Sequence, residues 1–138
     1  MRLALWIMAA FGMMAAGASS LAQDNAPPLA VYTLDQAQAG ADVYQLQCAS
    51  CHGETMDGVT GPALRGHAFR QLAASQGMTA YNLLTVISEN EPQNRPGSLS
   101  QEQYGDVLAF ILQQNGYPAG RDQLSANSLN LKQLDLTQ

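Results

Sequence analysis

Residues 48–52 read Cys-Ala-Ser-Cys-His, and this stretch decides how the rest of the chain is interpreted. Two cysteines separated by two residues and followed directly by histidine form the attachment signal for c-type haem. Both thiols can bond to one edge of a porphyrin, and the adjacent imidazole is a good axial donor to its iron. The motif therefore predicts one covalently bound haem c, attached through Cys48 and Cys51, with His52 as an axial ligand of the iron.

Three other interpretations of these residues are open. A thioredoxin-like redox pair normally follows a strand of an α/β fold, and the sequence predicts no strand before Cys48. A zinc site could combine Cys48, Cys51, His52 and His67, although consecutive Cys51 and His52 are awkward as two corners of one tetrahedron. A disulfide across so short a loop would constrain little of the unfolded chain. Haem attachment accounts best for the spacing.

The segment before the motif predicts a helix that leads directly into it. Thr33 and Gln36 form a capping box at the start of this helix. Small and apolar residues then recur at helical spacing as far as Tyr44. The expected helix covers about residues 34–47.

Downstream of the motif, loops rich in glycine and proline over residues 53–66 and 90–99 separate three further predicted helices. Two of these helices cover about residues 67–76 and 79–89, and the last begins after Ser100 and ends at Asn115-Gly116. No run of alternating β-branched residues indicates a strand. The sequence therefore predicts an all-α domain of three to four helices with long loops. So few short helices supply a small apolar core, and a large apolar prosthetic group would complete it.

The first 22 residues read as a secretory signal peptide. Arg2 precedes an uncharged stretch over residues 3–16, and Ser20-Leu21-Ala22 fits a small-x-small cleavage site. A buried N-terminal helix and an uncleaved membrane anchor are alternatives, although the uncharged stretch is shorter than the ~20 residues needed to span a bilayer. Cleavage would release a periplasmic protein without a stable membrane span.

The rest of the chain divides into three regions. Residues 23–32 are expected to form an extended arm, because Pro27 and Pro28 exclude a helix. Residues 33–124 are expected to form the domain, and residues 125–138 a C-terminal tail.

The charge of the chain restricts its partners. The formal net charge is −5, and loss of Arg2 with the signal peptide would lower it by one unit to −6. So few cations cannot neutralise a phosphate backbone, which argues against a nucleic-acid partner.

The chain resembles class I cytochromes c, and most of all the single-haem domains associated with bacterial quinoprotein alcohol dehydrogenases. The resemblance covers about residues 33–124, and it implies a cytochrome c fold in which the first and last helices cross beside the haem. It also implies that Gly40 and Tyr104 pack closely at that crossing, and that the Pro62 carbonyl accepts the Nδ1–H of His52. The residues that carry it are the motif at 48–52, Gly61-Pro62, Leu64, Gly66, Pro96-Gly97-Ser98-Leu99-Ser100, Tyr104, Ala109-Phe110-Ile111-Leu112 and the segment 115–120.

One position departs from the pattern of the family it resembles. Members of that family usually supply the sixth iron ligand from a Met-Pro pair, which here reads Glu91-Pro92, and no methionine follows Met78. Glu91, Met78, His67 and Met56 are the candidates for the sixth position, which could also be open or occupied by water.

These observations predict an exported single-electron carrier rather than an enzyme. Its redox partner, as the resemblance suggests, would be a quinoprotein dehydrogenase or a terminal oxidase that presents a basic surface to this acidic chain. The alternative is a five-coordinate haem protein that binds CO, NO or peroxide and has weak peroxidase activity, because the methionine that normally raises the haem potential is missing.

Overall fold

A computed structural model describes residues 29–125 and 129–137 of the chain. These residues form six helices, and their only β-type pairing is an isolated bridge between Thr79 and Asp135. The all-α prediction is confirmed, but the expected three to four helices are too few, because the short helices α2 and α6 were not predicted. None of these helices is long and apolar enough to cross a membrane. The expected signal peptide, residues 1–22, and the first part of the expected arm lie outside the described residues. The helices are α1 Leu34–Gln47, α2 Ala49–His52, α3 Gly66–Gln76, α4 Ala80–Asn90, α5 Gln101–Gln114 and α6 Leu129–Gln133.

Three of the helices begin with a capping box, in which a hydroxyl and a side-chain amide satisfy backbone N–H groups reciprocally. The pairs are Thr33 with Gln36 in α1, Thr79 with Asn82 in α4, and Ser100 with Gln103 in α5. A capping hydroxyl of this kind typically contributes about 1 kcal/mol. The sequence signals at Thr33, Thr79 and Ser100 therefore place the helix starts correctly.

Helices α1 and α5 form the most extensive helix–helix contact of the described chain. Gly40 makes this contact close, because a Cβ there would overlap the Asp106 carbonyl and lie 3.0 Å from the Val107 nitrogen. The resemblance implied Tyr104 as the partner of Gly40; the atoms nearest to residue 40 belong to the backbone of Asp106 and Val107. The Tyr104 hydroxyl donates to the Glu91 carbonyl at 2.8 Å.

The end of the chain packs onto the domain. Residues 129–137, here called the C-terminal strap, include three leucines that are at most 5% exposed, Leu131, Leu134 and Leu136. Helix α6 lies against α4, and the bridge between Thr79 and Asp135 follows it. The sequence predicted a C-terminal tail over residues 125–138 but not the packing of its leucines onto the domain.

Candidate haem-binding site

Helix α1 leads into the attachment motif without an intervening loop. The Cys48 N–H donates to the Tyr44 carbonyl at 2.8 Å, and the Cys48 carbonyl accepts the His52 N–H at 3.0 Å. Residues four apart in a helix lie on the same face, so this single turn directs Cys48 and His52 to the same side. The first cysteine and the histidine of the motif therefore face one space.

The loop after the motif folds back onto it. The Cys51 carbonyl accepts three backbone N–H groups, from Val59, Thr60 and Gly61, at 2.9–3.1 Å. The His52 carbonyl accepts a fourth, from Gly58, at 2.8 Å. These bonds hold residues 58–61 beside the motif and bring Pro62 next to the imidazole.

The orientation of His52 is set by Pro62. The His52 Nδ1 lies 2.8 Å from the Pro62 carbonyl oxygen, and the His52 side chain is buried. A carbonyl oxygen can only accept a hydrogen bond, so Nδ1 is the donor and the lone pair of the neutral ring lies on Nε2. The Nε2 atom is thereby prepared to coordinate a metal, and the carbonyl raises its basicity.

Gly61 allows this arrangement because it has no side chain. A Cβ at residue 61 would lie 2.8 Å from Cε1 and 2.9 Å from Nδ1 of His52. Any larger residue would have to displace the ring or the loop. The Gly-Pro pair is therefore more than a turn, because its glycine makes room for the imidazole and its proline orients it.

A cavity of about 300 Å³ opens beside the motif. Apolar side chains from α3, α4 and α5 form most of its walls, and Cys48 and His52 form the wall on the motif side. The lining residues that matter for the site are Cys48, His52, Pro62, Leu64, Phe69, Leu72, Gln76, Met78, Leu83, Val86, Ile87, Glu91, Tyr104, Val107 and Ile111.

The second cysteine borders an adjoining cleft of about 400 Å³. Cys51 lines this cleft, which shares Cys48, His52, Glu91 and Pro92 with the apolar cavity. Both cysteines carry free thiols. Burial, followed by the charge of Glu91, raises the pKa of the Cys48 thiol to about 11, which keeps it protonated at neutral pH.

The residues present fit a covalently attached haem. Such a haem requires two free thiols three positions apart, an imidazole with its Nε2 lone pair available, and an apolar cavity beside them, and all three are present. Cys51 is exposed and His52 is buried, so a haem held by both residues would have one edge close to the surface.

The four candidates for the sixth ligand lie in different places. Met78 and Glu91 line the same cavity as His52. Among the described residues, His67 and Met56 are not part of that lining: His67 is exposed on α3, and Met56 is buried within the loop after the motif. The structure therefore brings two of the four candidates together with His52.

Glu91 is held mainly through its backbone. Its N–H donates to the Ile87 carbonyl at 3.1 Å, and its carbonyl accepts the Tyr104 hydroxyl at 2.8 Å. Its carboxylate accepts the Gln93 N–H at 3.1 Å, so the side chain bonds to the backbone two residues further along the chain. Glu91 thus places its charge near Cys48, and both residues line the cavity and the adjoining cleft.

Two residues that position the site were not recognised from the sequence. The Tyr44 hydroxyl donates to the Gly53 carbonyl at 2.7 Å and connects α1 to the end of the motif. The Asn115 side chain accepts the Gly66 N–H at 3.1 Å and donates to the Leu64 carbonyl at 2.9 Å, which fastens the loop to α5. Asn115 was interpreted only as a helix stop, and nothing local in the sequence indicates its partners.

Comparison with known families agrees with this geometry. A model of the family described as cytochrome c oxidase, cbb3-type, subunit III matches residues 35–111, which is more than half of the chain. No match is found among curated proteins. The matched region begins in α1, contains the attachment motif and the walls of the cavity, and ends in α5. The chain therefore belongs to this cytochrome c family, whose domains carry covalently bound haem c and transfer electrons.

Proposed function

We propose that Cys48 and Cys51 attach one haem c, that His52 is an axial ligand of its iron, and that the chain is a periplasmic single-electron carrier exported through residues 1–22. The observation that carries this proposal is the bond from His52 Nδ1 to the Pro62 carbonyl, 2.8 Å long, at the wall of an apolar cavity. It leaves Nε2 as the ring nitrogen with a free lone pair, which would make Nε2 the atom that binds iron.

The attachment chemistry uses both thiols in the same way. Each S–H would add across one vinyl group of the haem, so that a carbon–sulfur bond would form and the thiol hydrogen would pass to the neighbouring carbon. The short helix α2 supports this assignment, because it separates the two sulfurs by less than one turn. When bound, the haem supplies the one-electron exchange, and the protein supplies ligation, burial and an exposed edge for docking.

The redox partner is proposed to be a protein with a basic surface. The family description names an oxidase, which supports a terminal oxidase as one such partner, and a quinoprotein dehydrogenase is the other. Such a partner would be attracted to this chain, whose acidic residues outnumber its basic ones.

Replacement of both cysteines tests the attachment. The mature protein would be produced in a host with c-type maturation machinery, together with Cys48→Ala plus Cys51→Ala. Haem should remain on the denatured wild-type protein and be absent from the denatured double variant. The matched control is Ser50→Ala, which lies between the cysteines, is exposed, and should retain covalent haem. Haem recovered on the denatured double variant would refute the attachment.

A second candidate function is a five-coordinate haem protein that binds a small ligand such as CO, NO or peroxide. The observation that favours it is the hydrogen bond from Gln93 N–H to the Glu91 carboxylate, which keeps this carboxylate within its own turn. Absorption spectra of the oxidised, reduced and CO-treated reduced protein separate the two functions. Sharp low-spin bands that CO does not move indicate a filled sixth position and electron transfer, whereas a high-spin spectrum that CO shifts indicates an open one.

A further inference from the structure

The C-terminal strap, residues 129–137, is a built part of the structure. Leu131 and Leu136 are fully buried, and Leu134 is 5% exposed. The Lys132 ammonium lies 4.8 Å from the centre of the Tyr81 ring on α4, within the range of a cation–π contact. Three buried leucines are more than a loosely attached tail would provide.

The strap holds the junction between α3 and α4 through its backbone. The Leu136 N–H donates to the Met78 carbonyl at 3.0 Å, and the Ala80 N–H donates to the Leu134 carbonyl at 2.9 Å. These two bonds flank the antiparallel bridge between Thr79 and Asp135. The strap therefore fixes the backbone on both sides of Thr79.

The junction that the strap holds is a wall of the cavity. Met78 is buried and lines the cavity next to Leu83 and Ile87 of α4. Phe69 and Leu72 of α3, on the other side of the junction, line it too. The strap itself contributes no lining residue, so any effect it has on the cavity acts through Met78 and the two helices.

We propose that the C-terminal strap is a positioning element that keeps Met78 and the start of α4 against the haem, and so keeps water and small ligands out of the cavity. The inference rests on the proposed haem attachment. It concerns residues that lie beyond the match to the family, which ends at residue 111. The apolar shell around a haem controls solvent access and thereby its redox potential.

Release of the strap tests this role. In Leu131→Ala plus Leu136→Ala, both buried anchors lose their side chains while the motif and the cavity lining are untouched. The matched control is Leu129→Ala, because Leu129 is 74% exposed and lies in α6 with Leu131. Leu136→Met keeps an apolar side chain of similar volume and the backbone N–H, and it should behave as the wild-type protein.

Three measurements on the holoprotein decide the outcome. Covalent haem on the denatured protein should be the same in all variants, and its absence from the wild-type protein would refute the proposed function, not the strap. Hydrogen exchange at Ala80 and Leu136 should report release of the strap in the double variant alone. The double variant should then show a lower midpoint potential and, if the cavity opens in most molecules, roughly a tenfold higher apparent affinity of the ferric haem for imidazole.

The proposal is overturned if the strap is released while both the potential and the imidazole affinity stay at the wild-type values. If the double variant does not release the strap, a chain that ends at Ser125 removes it outright and is judged by the same two values. Both variants could retain covalent haem but show no cooperative unfolding transition. In that case the strap is needed for folding itself, its role is purely structural, and the proposal is also overturned.

Discussion

The backbone of Glu91 is held by two hydrogen bonds, and its side chain bonds to a backbone N–H close by in the sequence. Hydrogen bonds to Ile87 and from Tyr104 hold its main chain, and its carboxylate accepts the Gln93 N–H. A methionine at residue 91 would have a similar length but would not accept the Gln93 N–H strongly. Its side chain would therefore be free to extend into the cavity that His52 lines. Residue 91 is therefore a position outside the attachment motif at which a single change should alter the coordination of the haem iron.

Glu91→Met should give a six-coordinate haem of higher midpoint potential, because thioether ligation favours ferrous iron and an anionic carboxylate favours ferric iron. Potentiometry and the reduced spectrum with and without CO measure the change. Glu89→Met is the control, since Glu89 lies two residues earlier at the end of α4, is exposed and does not line the cavity. An unchanged potential in Glu91→Met would show that residue 91 does not face the iron.

Asp106 should make stability depend on pH. Burial, followed by the nearby charge of Glu102, raises its pKa above the ordinary 3.8, although a hydrogen bond from Gln36 opposes the shift. Because the folded pKa is the higher one, the folded state binds more protons and its stability falls as pH rises above about 3.8. Asp106→Asn should remove this loss.

The test of Asp106→Asn is the free energy of unfolding of the holoprotein at a series of pH values. The variant should gain stability relative to the wild-type protein as pH rises from 3.8, and reach a constant difference towards neutral pH. Asp122→Asn, at an exposed position, should not show this trend. A difference that does not change with pH would contradict the role of burial at Asp106.

At the scale of elements, the crossing of α1 and α5 is the contact on which the domain depends. The backbones approach each other at Gly40, and next to it the rings of Tyr44 and Phe110 are 5.5 Å apart at an angle of 58°. Because α1 leads directly into Cys48, the position of α1 against α5 also determines where the motif meets the cavity.

Gly40→Ala should therefore destabilise the domain by about 3 kcal/mol, at the upper end of the usual cost of overpacking a core. The added methyl group would overlap the Asp106 carbonyl, and two helix backbones would have to separate to accept it. Thermal unfolding of the holoprotein measures the effect. Ala41→Ser, one residue further along α1, is a control of similar size whose midpoint should change little, and equal losses in both variants would argue against a close contact at residue 40.

At the scale of the whole molecule, the excess of acidic residues should steer association. The formal net charge of the chain is −5, and the described part carries exposed acidic side chains on several elements. Long-range attraction between opposite charges raises association rates and is screened by salt over a Debye length of ~10 Å at 0.1 M.

Oxidation of the reduced protein by two small probes tests this steering. The rate with a cationic cobalt(III) phenanthroline complex should fall as ionic strength increases, whereas the rate with anionic ferricyanide should rise. The pair of probes is its own control, because their responses to salt should have opposite signs. A cationic probe that speeds up with salt would indicate a basic surface at the site of electron exchange.

The sequence by itself determined what depends on neighbouring residues. Capping pairs such as Thr33 with Gln36 and helix stops such as Asn115-Gly116 act within one turn of chain, so the bounds of the long helices could be predicted closely. The motif at residues 48–52 carries its own spacing in the same way, which is why covalent haem c could be predicted before any fold was known.

Only the tertiary structure decided what depends on distant segments. It showed that the backbone of Asp106 and Val107 lies nearest to Gly40, and it placed Met78 and Glu91, but not His67, in the lining shared with His52. It also packed the C-terminal strap beneath α4. Such contacts join residues far apart along the chain, and their geometry is set by how whole helices pack, which no local pattern of side chains encodes.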